Sequence, residues 1–245
     1  MNYKVYTFSS NEKILYSIEG AIIIAITAFT FYRSFTAFFI MLPSLYFFLK
    51  YKKEKLIHKR RQELLLEFRE LILSVQSALN AGNSVENAFI DAGREIEKMY
   101  GSDGLMAREA AIMTRRLRSN ETLERILQDL ADRSGIEDIL DFANVFAAAK
   151  RSGGDLTGII RRASNVIGDK IDVLREIETE LSAKQYETRV MEVVPFGIIF
   201  YLNITQSDFL SVLYHNIAGI AVMTVCLILY FISFKMAEKI TAIEV

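Results

Sequence analysis

The chain has 245 residues, 51% of them hydrophobic, and a net charge of −1 at pH 7. This balance supplies no basic surface of the kind that binds nucleic acid, so we exclude nucleic acid as a partner. Most charged residues lie between Lys50 and Arg189, which leaves a charged middle between two apolar ends. Cys226 is the single cysteine and excludes a disulfide within the chain. Its apolar surroundings predict a buried side chain.

The N-terminal end, residues 1–50, predicts a membrane hairpin of two helices. Arg33 is the only charged residue in residues 20–49, and this run is longer than the roughly 20 apolar residues that one span needs. We expect a turn at Arg33 and Ser34 between two spans, at about residues 14–32 and 35–51. Pro43 is expected to kink the second span. Because a second apolar segment follows the first, the pattern argues against a cleaved signal peptide.

A basic cluster follows the second span directly and comprises Lys50, Lys52, Lys53, Lys55, Lys59, Arg60 and Arg61. Basic residues beside a span are typical of its cytoplasmic side, and they attract the anionic headgroups of membrane lipids. The cluster therefore predicts that the charged middle is cytoplasmic. Glu19 lies near the cytoplasmic end of the first span, and we expect it either in the interface or at a functional site within the membrane.

The middle of the chain, residues 51–189, predicts a cytoplasmic bundle of six helices and, with it, an all-α fold. Apolar side chains recur there at intervals of three and four residues, as one face of a helix requires. Short connections between such helices make antiparallel neighbours. We expect Ser119 or Asn120 to cap the fourth helix. The expected helices cover about residues 64–80, 85–99, 105–117, 121–133, 137–151 and 155–194.

The fifth and sixth helices meet at a glycine corner. Glycine adopts the left-handed conformation that ends many helices, so Gly153 and Gly154 mark the end of the fifth helix. We expect valine at Gly154 to break the bundle, because a β-branched residue resists that conformation. Asp155 is a candidate N-cap for the sixth helix. Lys150 and Arg151 lie in the last turn of the fifth helix, where cations suit the helix dipole.

The sixth helix is unusually long, because no proline or glycine pair interrupts it before Pro195. A stripe recurs along it at spacings of three and four, formed by Ile160, Ala163, Ile167, Lys170, Leu174, Ile177 and Leu181. Such a stripe is typical of a helix that packs along the bundle or against another copy of the chain. The charged far half of this helix is either a solvated surface or part of a lever that leads into the membrane.

The C-terminal end, residues 190–245, predicts a second membrane hairpin. Its first apolar segment, at about residues 190–204, is short, so a re-entrant or sheltered helix is an alternative to a full span. The following loop contains Asp208 and His215 but no lysine or arginine, whereas Lys235 and Lys239 follow the last apolar segment. The pattern therefore predicts about four spans with both termini in the cytoplasm.

No enzyme site is found in the sequence. The phosphate-binding glycine motifs are missing, and the corner glycines are not followed by the acid and aromatic of a cyclase motif. His58 and His215 are expected on opposite sides of the membrane, where they cannot share a metal. We therefore predict no catalytic, cofactor-binding or metal-binding residue.

Short motifs stand in order between the two apolar ends: Ala81-Gly82-Asn83-Ser84-Val85-Glu86-Asn87-Ala88, Arg116-Leu117, Leu130-Ala131-Asp132-Arg133, Ala149-Lys150-Arg151-Ser152-Gly153-Gly154-Asp155-Leu156 and Val194-Pro195. Together they resemble the type II secretion system F domain, in the single-domain form of the tight-adherence (Tad) pilus platform proteins. The resemblance covers about residues 64–234. It departs from the family at Ser182-Ala183-Lys184-Gln185, where a small, alanine-rich patch is frequent.

The resemblance implies an inner-membrane platform protein without enzymatic activity. Its implied partners are a hexameric secretion ATPase, a sister platform subunit and a pilin or pseudopilin, in a homo- or hetero-oligomer. We expect Lys150, Arg151, Arg161 and Arg162 to contact the ATPase, unless these charges only keep the surface soluble. A small transporter or channel subunit and a membrane-tethered scaffold remain alternative functions.

Overall fold

The computed structural model describes residues 2–205, 213–214 and 216–241. Within these residues the regular structure is α-helical and contains no strand, so the prediction of an all-α fold is confirmed for this part of the chain. The helices are α1 (Ser10–Tyr32), α2 (Phe35–Met41), α3 (Ser44–Asn80), α4 (Val85–Tyr100), α5 (Leu105–Arg118), α6 (Leu123–Ser134), α7 (Glu137–Ser152), α8 (Leu156–Thr205) and α9 (Ile217–Thr241).

Internal contacts divide the chain into two compact units. The first, here called the charged unit, comprises Met1–Thr7 and Lys53–Val173. The second, here called the apolar unit, comprises Phe8–Lys52 and Leu174–Val245. Both α3 and α8 contribute residues to each unit. The domain boundaries that we predict after residues 50 and 189 stay predictions.

The charged unit is built around apolar side chains from α3 to α8. Five of the six side chains that we expect on the inward face of α3 are fully buried, namely Leu64, Phe68, Leu71, Ile72 and Val75, whereas Leu79 is partly buried. Phe68 meets Phe142 of α7 edge to face, with ring centroids 5.5 Å apart. Each large apolar side chain buried in this way contributes about 1.5–3 kcal/mol to the stability of the fold. Ile160 and Ile167 bring the first part of α8 into the same core.

The connection between α5 and α6 differs from our expectation. Thr122 is the N-cap of α6, whereas Ser119 is the C-cap of α5. Asn120 adopts a positive φ of 60° and belongs to the turn between them. The prediction that Ser119 or Asn120 caps the fourth helix is therefore wrong. The backbone N–H of Ser119 still bonds to carbonyls of α5, which keeps Ser119 attached to the helix before it.

Two helices in the described part of the chain are long and apolar enough to cross a membrane, Ser10–Tyr32 and Ile217–Ala237. The second expected span is divided, because α2 ends at Met41 and α3 begins after the turn at Leu42 and Pro43. The short third segment lies within α8, which continues through Pro195 without a break. Asp208 and His215 lie outside the described residues.

Polar hydrogen bonds join the helices of the apolar unit. The hydroxyl of Tyr214 donates to the carbonyl of Thr30 at 3.0 Å, and Asn203 donates to the Tyr214 oxygen at 3.0 Å. Glu19 pairs with Lys52 at 2.9 Å, so this acid has a cationic partner. Cys226 is exposed, and our expectation of a buried cysteine is wrong. In a helix that is apolar on all sides, an apolar neighbourhood in the sequence does not identify the buried face.

Candidate docking corner and polar network of the charged unit

The end of α7 is set by a left-handed glycine. Gly153 has φ 68° and ψ 24°, and its N–H donates to the carbonyl of Ala149. The N–H of Gly154 donates to the same carbonyl at 2.9 Å, which is the long-range bond of a Schellman motif. Gly154 itself has no positive φ. Our expectation that valine at Gly154 would meet a left-handed backbone is therefore wrong, and that constraint belongs to Gly153.

Asp155 directs the start of α8. Its Oδ1 accepts a hydrogen bond from the backbone N–H of Gly158 at 2.9 Å, and its own carbonyl accepts from Ile159 at 3.1 Å. This is the geometry of an N-cap, which satisfies a backbone donor that the helix leaves free. Gly158 is buried, and a Cβ there would collide with the Asp155 carboxylate. The cap thus depends on a glycine that the sequence analysis did not single out.

Lys150 forms ion pairs inside the charged unit. Its Nζ lies 3.0 Å from Oε1 of Glu86 and 3.3 Å from Oε2 of Glu124. Glu86 is in the first turn of α4 and Glu124 in the first turn of α6, so one lysine joins three helix ends. Hydrogen bonding to Lys150 lowers the pKa of the Glu86 carboxyl below its usual range. This side chain is therefore engaged within the protein.

The three arginines that we expect beside the corner are exposed. Arg151 donates from Nε to the carbonyl of Ala147 within α7, at 3.2 Å. Arg161 and Arg162 follow on the first turns of α8 and form no ion pair with any residue that the structure describes. Gly153, Gly154 and Asp155 are also exposed.

A buried ion pair joins α5 to α6 and was missed by the sequence analysis. Glu109 is 1% exposed, and both its oxygens accept from the guanidinium of Arg133, at 2.8 and 2.7 Å. Arg133 also donates from Nε to Asp129 at 3.0 Å. Although burial acts to raise the pKa of Glu109, hydrogen bonds from Arg133 and Tyr3 hold this pKa below its usual range. The carboxyl is therefore ionised in the folded protein at neutral pH.

Arg116 extends this network to the turn between α5 and α6. Its guanidinium donates to both oxygens of Glu121, at 2.7 and 2.6 Å, and to Asp129 at 2.7 Å. Asp129 thus accepts from both Arg116 and Arg133. Bidentate pairs of arginine and carboxylate fix geometry as well as contributing energy. Two arginines from the sequence motifs therefore hold the α5–α6 connection in place.

A second buried carboxylate holds the start of α5. Oε2 of Glu67, on α3, accepts from the backbone N–H of Met106 at 2.6 Å. Glu67 is 9% exposed and lies between buried Leu64 and Phe68 along α3. The first N–H groups of a helix have no partner within it, and an acid there suits the helix dipole. Glu67 therefore acts as an N-terminal cap supplied by a distant part of the chain.

The charged unit contains polar networks that support its shape. Among the described residues no three His, Cys, Asp or Glu side chains form a group that could hold a metal ion. The buried acids Glu109 and Glu67 are both occupied by donors of the protein itself.

Comparison with known proteins gave one finding. The family model described as type II secretion system (T2SS), protein F matches residues 67–203, which is more than half of the chain. Neither the curated proteins nor the solved structures gave a match. The matched range includes α4 to α7 and most of α3's buried face, together with nearly all of α8.

Proposed function

This chain belongs to the type II secretion system protein F family, and we propose that it serves as an inner-membrane platform of a type IV or Tad-like pilus or of a type II secretion machine. The match over residues 67–203 is the observation that carries this proposal. Proteins of this family are structural components of the membrane part of such machines. The two apolar helices, Ser10–Tyr32 and Ile217–Ala237, are suited to anchoring the chain in the membrane.

The proposed topology has four spans, with both termini and a six-helix bundle in the cytoplasm. The lysines and arginines at residues 50–61 support the cytoplasmic assignment of the bundle. Their absence from residues 205–216 supports an external loop there. Single cysteines placed in these two segments test the topology in intact cells. A membrane-impermeant thiol reagent should label only the loop at 205–216, and labelling at 50–61 would contradict the proposal.

The proposed role of the charged unit is to couple a cytoplasmic secretion ATPase to pilin assembly. Arg151, Arg161 and Arg162 form the exposed cationic surface beside the corner. Lys150 supports this surface from within, through its pairs with acids on α4 and α6. Chain connectivity favours this role as well, because α8 runs from the corner to Thr205 as one helix. The chemistry of ATP would then belong entirely to the partner.

Charge reversal at the corner tests the coupling. Arg161→Glu should reduce co-purification of the ATPase several-fold while the protein stays folded, because Arg161 is exposed and has no ion pair among the described residues. Arg118→Glu is a matched control, since Arg118 is also exposed but lies at the end of α5. Equal recovery of the ATPase with both variants would place the interface elsewhere.

The remaining proposed partners are a sister platform subunit, a pilin or pseudopilin and membrane lipids, all of which would meet the apolar unit. Genes beside this one should encode a secretion ATPase and prepilin-like proteins. Purified protein reconstituted in liposomes should move no solute. Solute movement without any ATPase would replace the platform with a transporter or channel subunit.

A further inference from the structure

The extreme N-terminus of the chain is packed into the charged unit. Residues Met1–Thr7 group with Lys53–Val173 by their contacts, although they precede the first apolar helix. Tyr3 is 1% exposed and is among the largest fully buried side chains of the described residues. The first residues of a domain are usually poorly ordered unless specific contacts hold them. The burial of Tyr3 therefore requires a pocket that receives it.

Three helices supply this pocket. The Tyr3 hydroxyl donates to Oε1 of Glu109 on α5 at 2.9 Å, and the Tyr3 N–H donates to the carbonyl of Arg133 on α6 at 2.9 Å. The guanidinium of Arg60 on α3 lies over the ring, 5.1 Å from its centroid. The next residue, Lys4, packs on Gly135, where a Cβ would come within 2.8 Å of the lysine chain. Gly135 has a positive φ of 64°, so glycine suits this position for two reasons.

The chemistry of the pocket matches a tyrosine in particular. The Glu109 carboxylate can only accept hydrogen bonds when ionised, and Arg133 occupies both its oxygens from one side. A phenol adds a donor at the far end of an aromatic ring, which suits a buried acceptor such as Glu109. Phenylalanine would fill the space and leave the acceptor without this donor. The cationic Arg60 favours an aromatic ring beneath it.

We propose that Glu109, Arg133, Arg60 and Gly135 form a binding site for a tyrosine-bearing segment, here called the tyrosine socket, and that its occupant is the chain's own residues 2–7. Phe8 and Ser9 alone separate this segment from the first residue of α1 in the sequence. The docked segment is therefore followed almost directly in the chain by a candidate span.

Chemical cross-linking of the full-length protein tests the occupant. Lys4→Cys and Glu137→Cys, combined with Cys226→Ser, place two thiols on either side of the expected contact at Gly135. A flexible bifunctional maleimide should join them, and the joined peptides are measured by mass spectrometry. Mixing isotopically labelled and unlabelled protein before the reaction separates links within one chain from links between chains. We expect links within one chain, and links predominantly between chains would show that a second copy fills the socket and would overturn the proposal.

Substitutions at the occupant test the specificity of the socket. Tyr3→Ala should lower the cross-link yield at least tenfold, and Tyr3→Phe, which keeps the ring, should lower it several-fold. Thr7→Ala is the matched control, because Thr7 is exposed in the same segment. Circular dichroism establishes that each protein is folded, and if Tyr3→Ala unfolds, the comparison of Tyr3→Phe with Thr7→Ala decides. Equal yields from the Tyr3 variants and from Thr7→Ala would refute the tyrosine socket.

Discussion

Replacing Arg133 with glutamine would leave a charge in the core of the charged unit. In the native protein Arg133 donates to both oxygens of Glu109 and lies 23% exposed, whereas Glu109 lies 1% exposed. Glutamine is too short and uncharged to restore this pair. The Glu109 carboxylate would then lose its bidentate cationic partner while keeping the hydrogen bond from Tyr3. Breaking one side of a buried ion pair costs more than the pair itself contributes, because the remaining ion stays out of water.

The expected loss of stability from Arg133→Gln is about 3–5 kcal/mol. Domains have free energies of unfolding of about 5–15 kcal/mol, so this single substitution removes a large part of that stability. For a unit of this size, a loss of that magnitude lowers the melting temperature by on the order of 10 °C. The measurement is the loss of helical circular dichroism on heating the full-length protein in mild detergent.

Two further variants make this measurement decisive. Arg115→Gln removes an exposed arginine from α5 and should leave the melting temperature within about 2 °C of the native value, as surface changes usually do. Adding Glu109→Gln to Arg133→Gln removes the orphaned charge and should recover much of the loss. If Arg133→Gln and Arg115→Gln have the same melting temperature, the buried ion pair does not stabilise the fold as we describe. Failure of the double variant to recover would show that the orphaned charge is not the cause of the loss.

Three other predictions use the same melting assay. Gly153→Val should destabilise the protein by about 1–3 kcal/mol, because the backbone at Gly153 is left-handed. Gly154→Ala should change the stability little, since a Cβ there meets only ordinary contacts. Equal losses of stability from the two variants would contradict this geometry. Lys150→Met should lower the stability by only about 1 kcal/mol, because the ion pairs of Lys150 with acids are partly exposed. A loss as large as that of Arg133→Gln would contradict the expectation that the buried pair stabilises the fold more than these exposed pairs. The depressed pKa of Glu109 adds stability that is complete above the unfolded-state pKa of about 4.3 and is lost as the pH falls toward the lower folded-state value. Acidification from pH 6 to pH 4 should therefore lower the melting temperature of the native protein more than that of Arg133→Gln, and parallel losses would argue against this assignment.

The helices of the charged unit could be located from local signals. Apolar periodicity and glycine positions predict α5 at 105–117 and α7 at 137–151, and the structure extends each by one residue. These signals act between residues a few positions apart, so the sequence displays them directly. The interruption of the second apolar segment at Pro43 is of the same kind, although the sequence suggests a kink where the structure has two helices.

The contacts that complete the polar network could not be located in this way. Tyr3 and Glu109 are 106 positions apart, and no periodicity relates them. One signal was nevertheless available for Glu109, which lies on the apolar face of α5 between Met106 and Met113, both buried. An acid on a buried face needs a partner, and this requirement points to a distant arginine. The identity of that arginine, Arg133, depends on how α5 and α6 pack.

The range that matches the family model and the charged unit are different pieces of this chain. The family match begins at residue 67, in the middle of α3, and so leaves out Leu64 and Tyr3, both of which are buried. A fragment expressed from residue 67 would expose one side of its own interior and leave the Glu109 carboxylate short of a donor. A soluble version of the charged unit should therefore keep residues 2–7. A linker would replace the residues between this segment and a second segment that starts near Lys53.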